Sequence, residues 1–482
     1  MGYRGSDDHL YARLAHILSQ GQFEIGGDHT PIPVFPLRLG LLVPVAVFFK
    51  TFGVHPWSYS LLPMLVSLLL MIMAYMTGRL FFNQRAGFIA LALIAFLPID
   101  IMYSATLYSD PLAALWGHLA VVFLYAAYLA KTNASKMGWG IAAGLLIGLS
   151  WLCKISVVFL FPFLTLFGLW MIFKNRKNGY AGLSCLAGFA FILMAESFMY
   201  YHTVGDFLYR YHETERNYEI SKTLFFSEGG QYGWEKGHYL KAVFKRIFYA
   251  GPNAILFSKT YGWLPVWGCI ALMYSFFIRD RRFLFPGLWL LSLILIYNFG
   301  SSSLSAYRPL VLYDRYLFPL FLPSAILVAG FLSGLLETIK LPLRTIFQER
   351  VFWVLLVLLG LSYPYGGGLL TTFNKRGLFR ELQHVAHTLN REVKIYTDNR
   401  TKKMLNFYRG FPDNDNVVEF QKLSAEDIDR GAHIILNQFV LDYLTKTYNY
   451  QAPQFCNTIP DQWRLIQKED FISVYYKMPE KK

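Results

Sequence analysis

The chain has 482 residues, 55% of them hydrophobic and 18% aromatic, with only 16% charged. That composition excludes an ordinary soluble domain and fits a chain that crosses a bilayer several times. The net charge of +14 does not point to nucleic acid, because many of the basic residues fall in short turns between apolar stretches, where they orient membrane segments.

The chain opens with "GSDDHLYARLAHIL". Ser6 is placed to cap a helix with Asp7 and Asp8 in its first turn, and Leu10, Leu14 and Ile17 then form an apolar stripe. On spacing alone the two acids either stabilise a helix start or border a cavity among the membrane helices. The polar first residues predict no cleavable signal peptide. Val34–Gly53 is apolar, yet Pro33, Pro36, Arg38, Pro44 and Lys50 make it a poor spanning helix, and a shallow or re-entrant element is expected.

Ten stretches then approach the roughly 20 residues a spanning helix needs: Ser60–Gly78, Gly87–Tyr103, Pro111–Ala130, Met137–Leu152, Ser156–Phe173, Ala181–Met199, Ala254–Ile278, Phe283–Phe299, Tyr316–Leu336 and Val351–Tyr363. Every second connection is basic: Arg79 and Arg85; Lys131 and Lys136; Lys174, Arg176 and Lys177; Arg279, Arg281 and Arg282; Lys340, Arg344 and Arg350. These connections read as cytoplasmic, so the start of the chain, the Asp110 turn, Lys154, the 200–253 connection, the 307–315 turn and the tail face outward. Asp110 precedes Pro111 and reads equally as a helix cap or a functional acid. Lys154, at the outer end of two apolar runs, either snorkels or binds a phosphate. Arg308 and Arg315 have the same choice, with a structural ion pair to Asp314 as the alternative for Arg315.

The 200–253 connection is too long for a simple loop, and its "HYLKAVFKRIFY" segment has the pattern of a helix lying in the headgroup region. His202, His212 and His238, with Glu213, Glu215 and Glu219, match no metal spacing and read as a solvated loop. Residues 369–482 change character. "VKIYTD", "HIILNQF" and "ISVYYK" read as strands, "LFRELQHVAHTLNR" as a helix and "AEDIDRG" as helix or turn, which together predict a small α/β domain. Cys153, Cys185, Cys269 and Cys456 are scattered without a CxxC pair and predict packing roles.

The order of these motifs resembles the GT-C superfamily of integral-membrane glycosyltransferases. It runs from an outward "DDHLYARLA" helix through "FPLRLGLLVPVAVFFKTFG", "GRLFF", "GFIALALIAFLPIDIMYSATLYSDPLAAL" and "GIAAGLLIGLSWLCKISVVFLFP". The likeness covers residues 6–336 and is nearest the branch related to protein O-mannosyltransferases and lipid A aminoarabinose transferases. It implies a mainly α, polytopic bundle over residues 1–368 with an extracytoplasmic α/β domain over 369–482, in a bacterial inner membrane. It also implies transfer, with inversion, of a sugar from a polyprenyl-phosphate carrier to a lipid, protein or glycan acceptor. Asp7 aligns with the acid assigned as catalytic, Asp8 with a helper acid and Asp110 with a second outer-face acid. Lys154 and Arg315 would neutralise the departing lipid phosphate, with Arg308, Arg38 and Tyr316 beside them. No cofactor is implied, although some relatives use a divalent ion. The family pattern also implies a spanning helix upstream of Met1. Where aminoarabinose transferases carry Lys-Pro this chain has "VFPLR", with Phe35 before Pro36, so Arg38 would supply the charge and aminoarabinose is not implied as the donor. A transporter or lipid flippase, and a scaffold working through the outer domain, are the alternatives from other classes.

Overall fold

The computed structural model describes residues 7–27, 30, 32–225, 245–250, 254–301, 310, 312–338, 376–412, 416–421, 423–448 and 451–479. Helix α1 (Asp7–Ser19) lies before the short α2 (Leu39–Phe52). At 1.5 Å per residue α2 reaches only ~21 Å, short of the ~30 Å hydrocarbon core, and it carries Pro44 inside. The long helix α3 (Pro56–Phe81) starts with Pro at its first position, and Ser58 and His55 cap each other reciprocally. Asn83 caps α4 (Gln84–Ala95) by accepting from the Ala86 N–H at 2.9 Å. The apolar run predicted as one span, 87–103, breaks here: Leu97 is extended (ψ 116°) and a separate α5 (Pro98–Tyr103) begins at Pro98. Proline offers no N–H to the turn before it and pushes the preceding residue out of helical geometry.

Helices α6 (Ser109–Leu129), α7 (Asn133–Cys153), α8 (Phe161–Lys174, entered through a 3-10 turn at Ile155–Leu160) and α9 (Gly179–Val204) follow. Helix α10 (Tyr209–Phe225) replaces part of the expected solvated loop. Helix α11 (Leu264–Ile278) is shorter than the predicted 254–278 span, because Trp263 takes a left-handed conformation (φ 55°) ahead of it. Next come α12 (Leu284–Phe299) and α13 (Phe321–Thr338), the latter after a 3-10 turn at Asp314–Leu320. The predicted span 351–363 and most of the "HYLKAVFKRIFY" segment lie outside the described residues.

Seven helical stretches among the described residues are long and apolar enough to cross a membrane: Pro56–Phe81, Ser109–Leu129, Asn133–Cys153, Ile155–Lys174, Arg176–Val204, Arg281–Phe299 and Asp314–Leu335. Their outer faces expose large apolar side chains such as Phe173, Leu183, Phe191 and Leu288, as a lipid-facing belt does. Small residues set the closest crossing. A Cβ added to Gly144 of α7 would sit 2.0 Å from the Cys185 carbonyl of α9, and one on Gly140 would sit 2.5 Å from the Ala181 carbonyl. The backbones therefore touch along a small-xxx-small stripe, where dispersion rather than hydrophobic exclusion holds helices together in lipid.

The basic turns gather at one end of the bundle. Phe82 packs against Phe283 in a tilted pair with centroids 4.6 Å apart, Arg282 lies over the Phe82 ring, and Ser333 donates to Asn83 at 3.0 Å. Lys136 bonds Asn178 at 2.5 Å, which ties the α6–α7 turn to the α8–α9 turn.

The tail folds into a five-stranded sheet of order β2-β1-β3-β5-β4. Strands β1 (Ile395–Thr397), β2 (Val417–Glu419) and β3 (His433–Asn437) are parallel, and β5 (Ile472–Lys477) runs antiparallel to β3 and to β4 (Trp463–Lys468). Helices α14 (Arg376–Thr388), α15 (Asn399–Tyr408) and α16 (Gln438–Tyr448) flank it. The two-residue period divides the sheet. Ile395, Ile435 and Val474 join a core shared with α14, α15 and the membrane helices, while Tyr396, Ile434 and Leu436 pack with Phe420, Phe455 and Trp463. The three strands and the helix read from sequence are all present, and "AEDIDRG" is a turn. The edge strands β2 and β4 were not legible, since β2 has three residues and β4 is polar and largely exposed.

Candidate active site

Asp7 and Asp8 are consecutive on α1, about 100° apart around the axis, so they face different neighbours. The Asp7 carboxylate accepts from Arg315 Nη2 at 2.6 Å. Asp8 is fully buried and accepts from the Tyr59 hydroxyl at 3.1 Å, and that hydroxyl in turn accepts from the Leu107 N–H at 2.9 Å. The chain Asp8–Tyr59–Leu107 pins α1 to α3 and to the approach to α6.

Asp110 sits in the first turn of α6, at the end of the bundle away from the basic turns. Lys154 occupies the extended junction (φ −165°, ψ 135°) between α7 and the next 3-10 turn, so its side chain leaves the helix and reaches Asp110, with which it forms an ion pair. Its ammonium also lies 3.6 Å from the centroid of the Tyr316 ring. Arg315 Nε is 3.8 Å from Asp110, and the guanidinium stacks near Tyr108, Tyr313 and Tyr316 at 4.8, 5.5 and 5.4 Å. Tyr297 fixes the Tyr316 backbone by donating to its carbonyl at 2.6 Å. Arg38 completes the group by donating to Ser109 at 3.0 Å, with its guanidinium over the Phe35 and Tyr11 rings.

The structure thus gathers Asp7, Asp110, Lys154, Arg315, Tyr316 and Arg38 from five distant parts of the chain. Asp8 turns away from that group, and Arg308 lies outside the described residues. Accessibility separates the two acids of the cluster. The Asp7 side chain is 30% exposed and that of Asp110 only 4%, with Arg315 at 20% and Lys154 at 11%. Arg315 Nε, though buried, has no hydrogen-bond partner among the described residues. A guanidinium offering an N–H, next to an ammonium, can receive a phosphate oxygen, and an accessible carboxylate beside them can serve as a base. Among the described residues no three His, Cys, Asp or Glu side chains gather as a metal-ligand set.

Sequence reading missed a second buried cluster. Glu196, within span α9, accepts from Trp151 Nε1 at 2.7 Å, from the Tyr200 hydroxyl at 2.9 Å and from Arg210 Nε at 2.9 Å. Arg210 of α10 also donates to the carbonyl of Leu37, the residue before Arg38. The available signal was a lone glutamate in an apolar run, which is costly in lipid unless partnered. Asp100, buried and bonded to Ser67 at 2.5 Å, gave the same signal.

The sequence model of the dolichyl-phosphate-mannose-protein mannosyltransferase family matches residues 42–195. No curated protein matches the chain in sequence. Among solved structures, ArnT from Cupriavidus metallidurans in the apo state is similar over 97% of this chain and 92% of its own, with TM-score 0.56 and 15% identity. The same protein bound to undecaprenyl phosphate is similar over 98% and 94%, with TM-score 0.52 and 15% identity. An Archaeoglobus fulgidus oligosaccharyltransferase tethered to an acceptor peptide is similar over 85% of this chain, which spans 59% of that longer protein, with TM-score 0.51 and 13% identity. The chain is an integral membrane protein with the fold of the GT-C glycosyltransferases, and its residues 42–195 carry the sequence pattern of the dolichyl-phosphate-mannose-protein mannosyltransferase family.

Proposed function

We propose that this protein is an inverting glycosyltransferase that moves a sugar from a polyprenyl-phosphate carrier to an extracytoplasmic acceptor. The observation that carries the reading is the convergence of one accessible carboxylate, Asp7, with Lys154, Arg315 and Arg38 at the end of the bundle opposite the basic turns. Under the positive-inside rule that end faces away from the cytoplasm. The structurally similar ArnT binds undecaprenyl phosphate, which supports the same class of carrier here.

The chemistry follows from charge. An acceptor hydroxyl approaches Asp7, which takes or orients its proton as the oxygen attacks the anomeric carbon. The bond from that carbon to the carrier phosphate breaks, and the electron pair stays on the phosphate oxygen. Lys154 and Arg315 stand where that charge accumulates. Asp110 acts one step removed: it is too buried to meet the acceptor, and it fixes Lys154 and lies within 4 Å of Arg315. Asp8 holds α1 in place through Tyr59.

The test gives purified protein a panel of polyprenyl-phosphate sugars with a cell-envelope extract as acceptor source, and follows labelled sugar. A covalent product of inverted anomeric configuration is expected. Movement of intact donor across a vesicle membrane without any covalent product would replace this reading with a flippase.

A further inference from the structure

A cleft of about 810 Å³ separates α1 from the outer domain, on the side of α1 turned away from Arg315. The spacing of His9, Arg13 and His16 puts all three on one face of α1, Gln20 follows in the turn just beyond its end, and all four line the cleft. Asn399, Lys402, Lys403 and Asn406 line it from α15. Gly410 (φ 79°) and the strained Phe411 (φ 55°) also line it, with the Phe411 ring against His16 and His9, at 5.4 and 5.9 Å. A non-glycine residue in the left-handed region costs energy and persists where its surroundings demand it.

The charge of this cleft is one-sided. Arg13, Lys402 and Lys403 face a single lining acid, Glu419, which accepts from the Asn399 amide at 2.7 Å. Neither Arg13 nor Lys403 has a carboxylate within salt-bridge distance among the described residues. The buried Asn406 Oδ1 accepts no hydrogen bond among the described residues. Cations supply attraction for anions, and the amides of Gln20, Asn399 and Asn406 suit hydroxyl groups. His9 begins the cleft only two residues after Asp7, so the two sites are separated by about one helix diameter, ~10 Å.

From these observations we infer that the α1–α15 cleft is the acceptor-docking site, and that the acceptor is an acidic glycan whose phosphate or carboxylate groups are held by Arg13, Lys402 and Lys403. The inference rests on the glycosyltransferase reading for the word acceptor, and the binding itself is independent of it. Burial and the neighbouring Lys403 and Arg13 hold His9 well below its ordinary value, at about 3, so it adds no positive charge near neutral pH.

The experiment measures binding of fluorescent oligosaccharides to the full chain in detergent: one phosphorylated, one uronate-rich, one neutral, with an acidic peptide as a fourth probe. At least one acidic glycan should bind tenfold or more tightly than the neutral one, weaken with added salt, and lose tenfold or more with Arg13→Gln/Lys403→Gln. Whichever acidic probe binds identifies the anion as phosphate or carboxylate. Glu419→Gln removes the opposing charge and should tighten the same probe severalfold, which keeps the test informative if the double variant misfolds. Equal binding of the neutral glycan, preference for the acidic peptide, no glycan binding, or indifference to both sets of substitutions would overturn the inference. Donor turnover by the wild type without acidic-glycan binding would sink only this inference. Acidic-glycan binding without turnover of any donor would sink only the enzymatic reading.

Discussion

The Asp110–Lys154 pair yields a prediction in which stability and activity separate. Both side chains are nearly removed from solvent, at 4% and 11% exposure. Removing one partner of such a pair leaves an uncompensated charge, at a cost of about 3–5 kcal/mol. The two losses are unequal. Lys154→Met leaves Asp110 with Arg315 at 3.8 Å, a residual attraction that should hold its cost near the lower figure. Asp110→Asn leaves Lys154 with the Tyr316 ring at 3.6 Å, a contact worth about 1–2 kcal/mol, next to the cationic Arg315, so its cost should lie higher. The double variant Asp110→Asn/Lys154→Met removes both charges and should regain most of the lost stability, because apolar replacement of a buried pair is close to neutral. Its transfer activity should stay at least 100-fold down, since the lysine proposed to meet the departing phosphate is gone. Thermal midpoints in detergent and donor turnover on the same four preparations read out both quantities. Wild-type turnover by the folded double variant would refute the role of Lys154. Single variants as stable as the wild type would refute the energetic argument.

Other parts of the fold make separable predictions. Gly144→Leu drives a side chain into the Cys185 carbonyl and should cost about 1–3 kcal/mol by overpacking, seen as a lower thermal midpoint, whereas a substitution at Gly138, where an added Cβ meets nothing within 4 Å, should leave the midpoint unchanged. Glu196→Gln leaves Arg210 buried without its carboxylate and should cost about 3–5 kcal/mol; if Arg210 positions Arg38 through the Leu37 carbonyl, the KM for donor should also rise while kcat changes less. His9 binds a proton in the unfolded chain near its ordinary value of 6.5 and in the folded chain only at about 3. Its contribution to stability is therefore complete above pH ~6.5 and falls by ~1.4 kcal/mol per pH unit as pH drops toward 3. A pH series of thermal midpoints should show a steeper acid decline for the wild type than for His9→Gln, and parallel declines would contradict the assignment.

Much of this architecture is legible in the sequence because lipid imposes a simple rule. Backbone groups in hydrocarbon must bond within their own helix, so length and apolarity reveal spans. The failures have local causes. Pro98 ends a run whose hydropathy does not change, and Trp263 adopts a left-handed backbone that no apolar average detects. At the site, residue type and membrane face drew attention to Asp7, Asp110, Lys154 and Arg315, since carboxylates and cations at the rim of a bundle need partners, but left each open between a structural and a functional role; the family resemblance singled them out, with Asp8 and Arg308 alongside. Their pairings were not legible. Adjacent Asp7 and Asp8 diverge because helical geometry turns successive side chains by about 100°, and only the packing of Tyr59 decides which of them is buried. The natural guess for Arg315, its neighbour Asp314, gives way to Asp7, 308 residues away. Glu196 and Arg210 escaped because one is isolated in an apolar run and the other lies in a stretch that reads as loop.

Asp7 is the residue on which the proposed chemistry turns, and Asp7→Asn isolates it. The Asp7–Arg315 pair is partly exposed, so its loss should cost no more than about 1 kcal/mol. Loss of a general base lowers turnover by about 10²–10⁴-fold. With a donor that the wild type turns over, release of free polyprenyl phosphate should fall by that factor in Asp7→Asn while the thermal midpoint stays within a few degrees. Release at the wild-type rate from the folded variant would contradict the account at its centre.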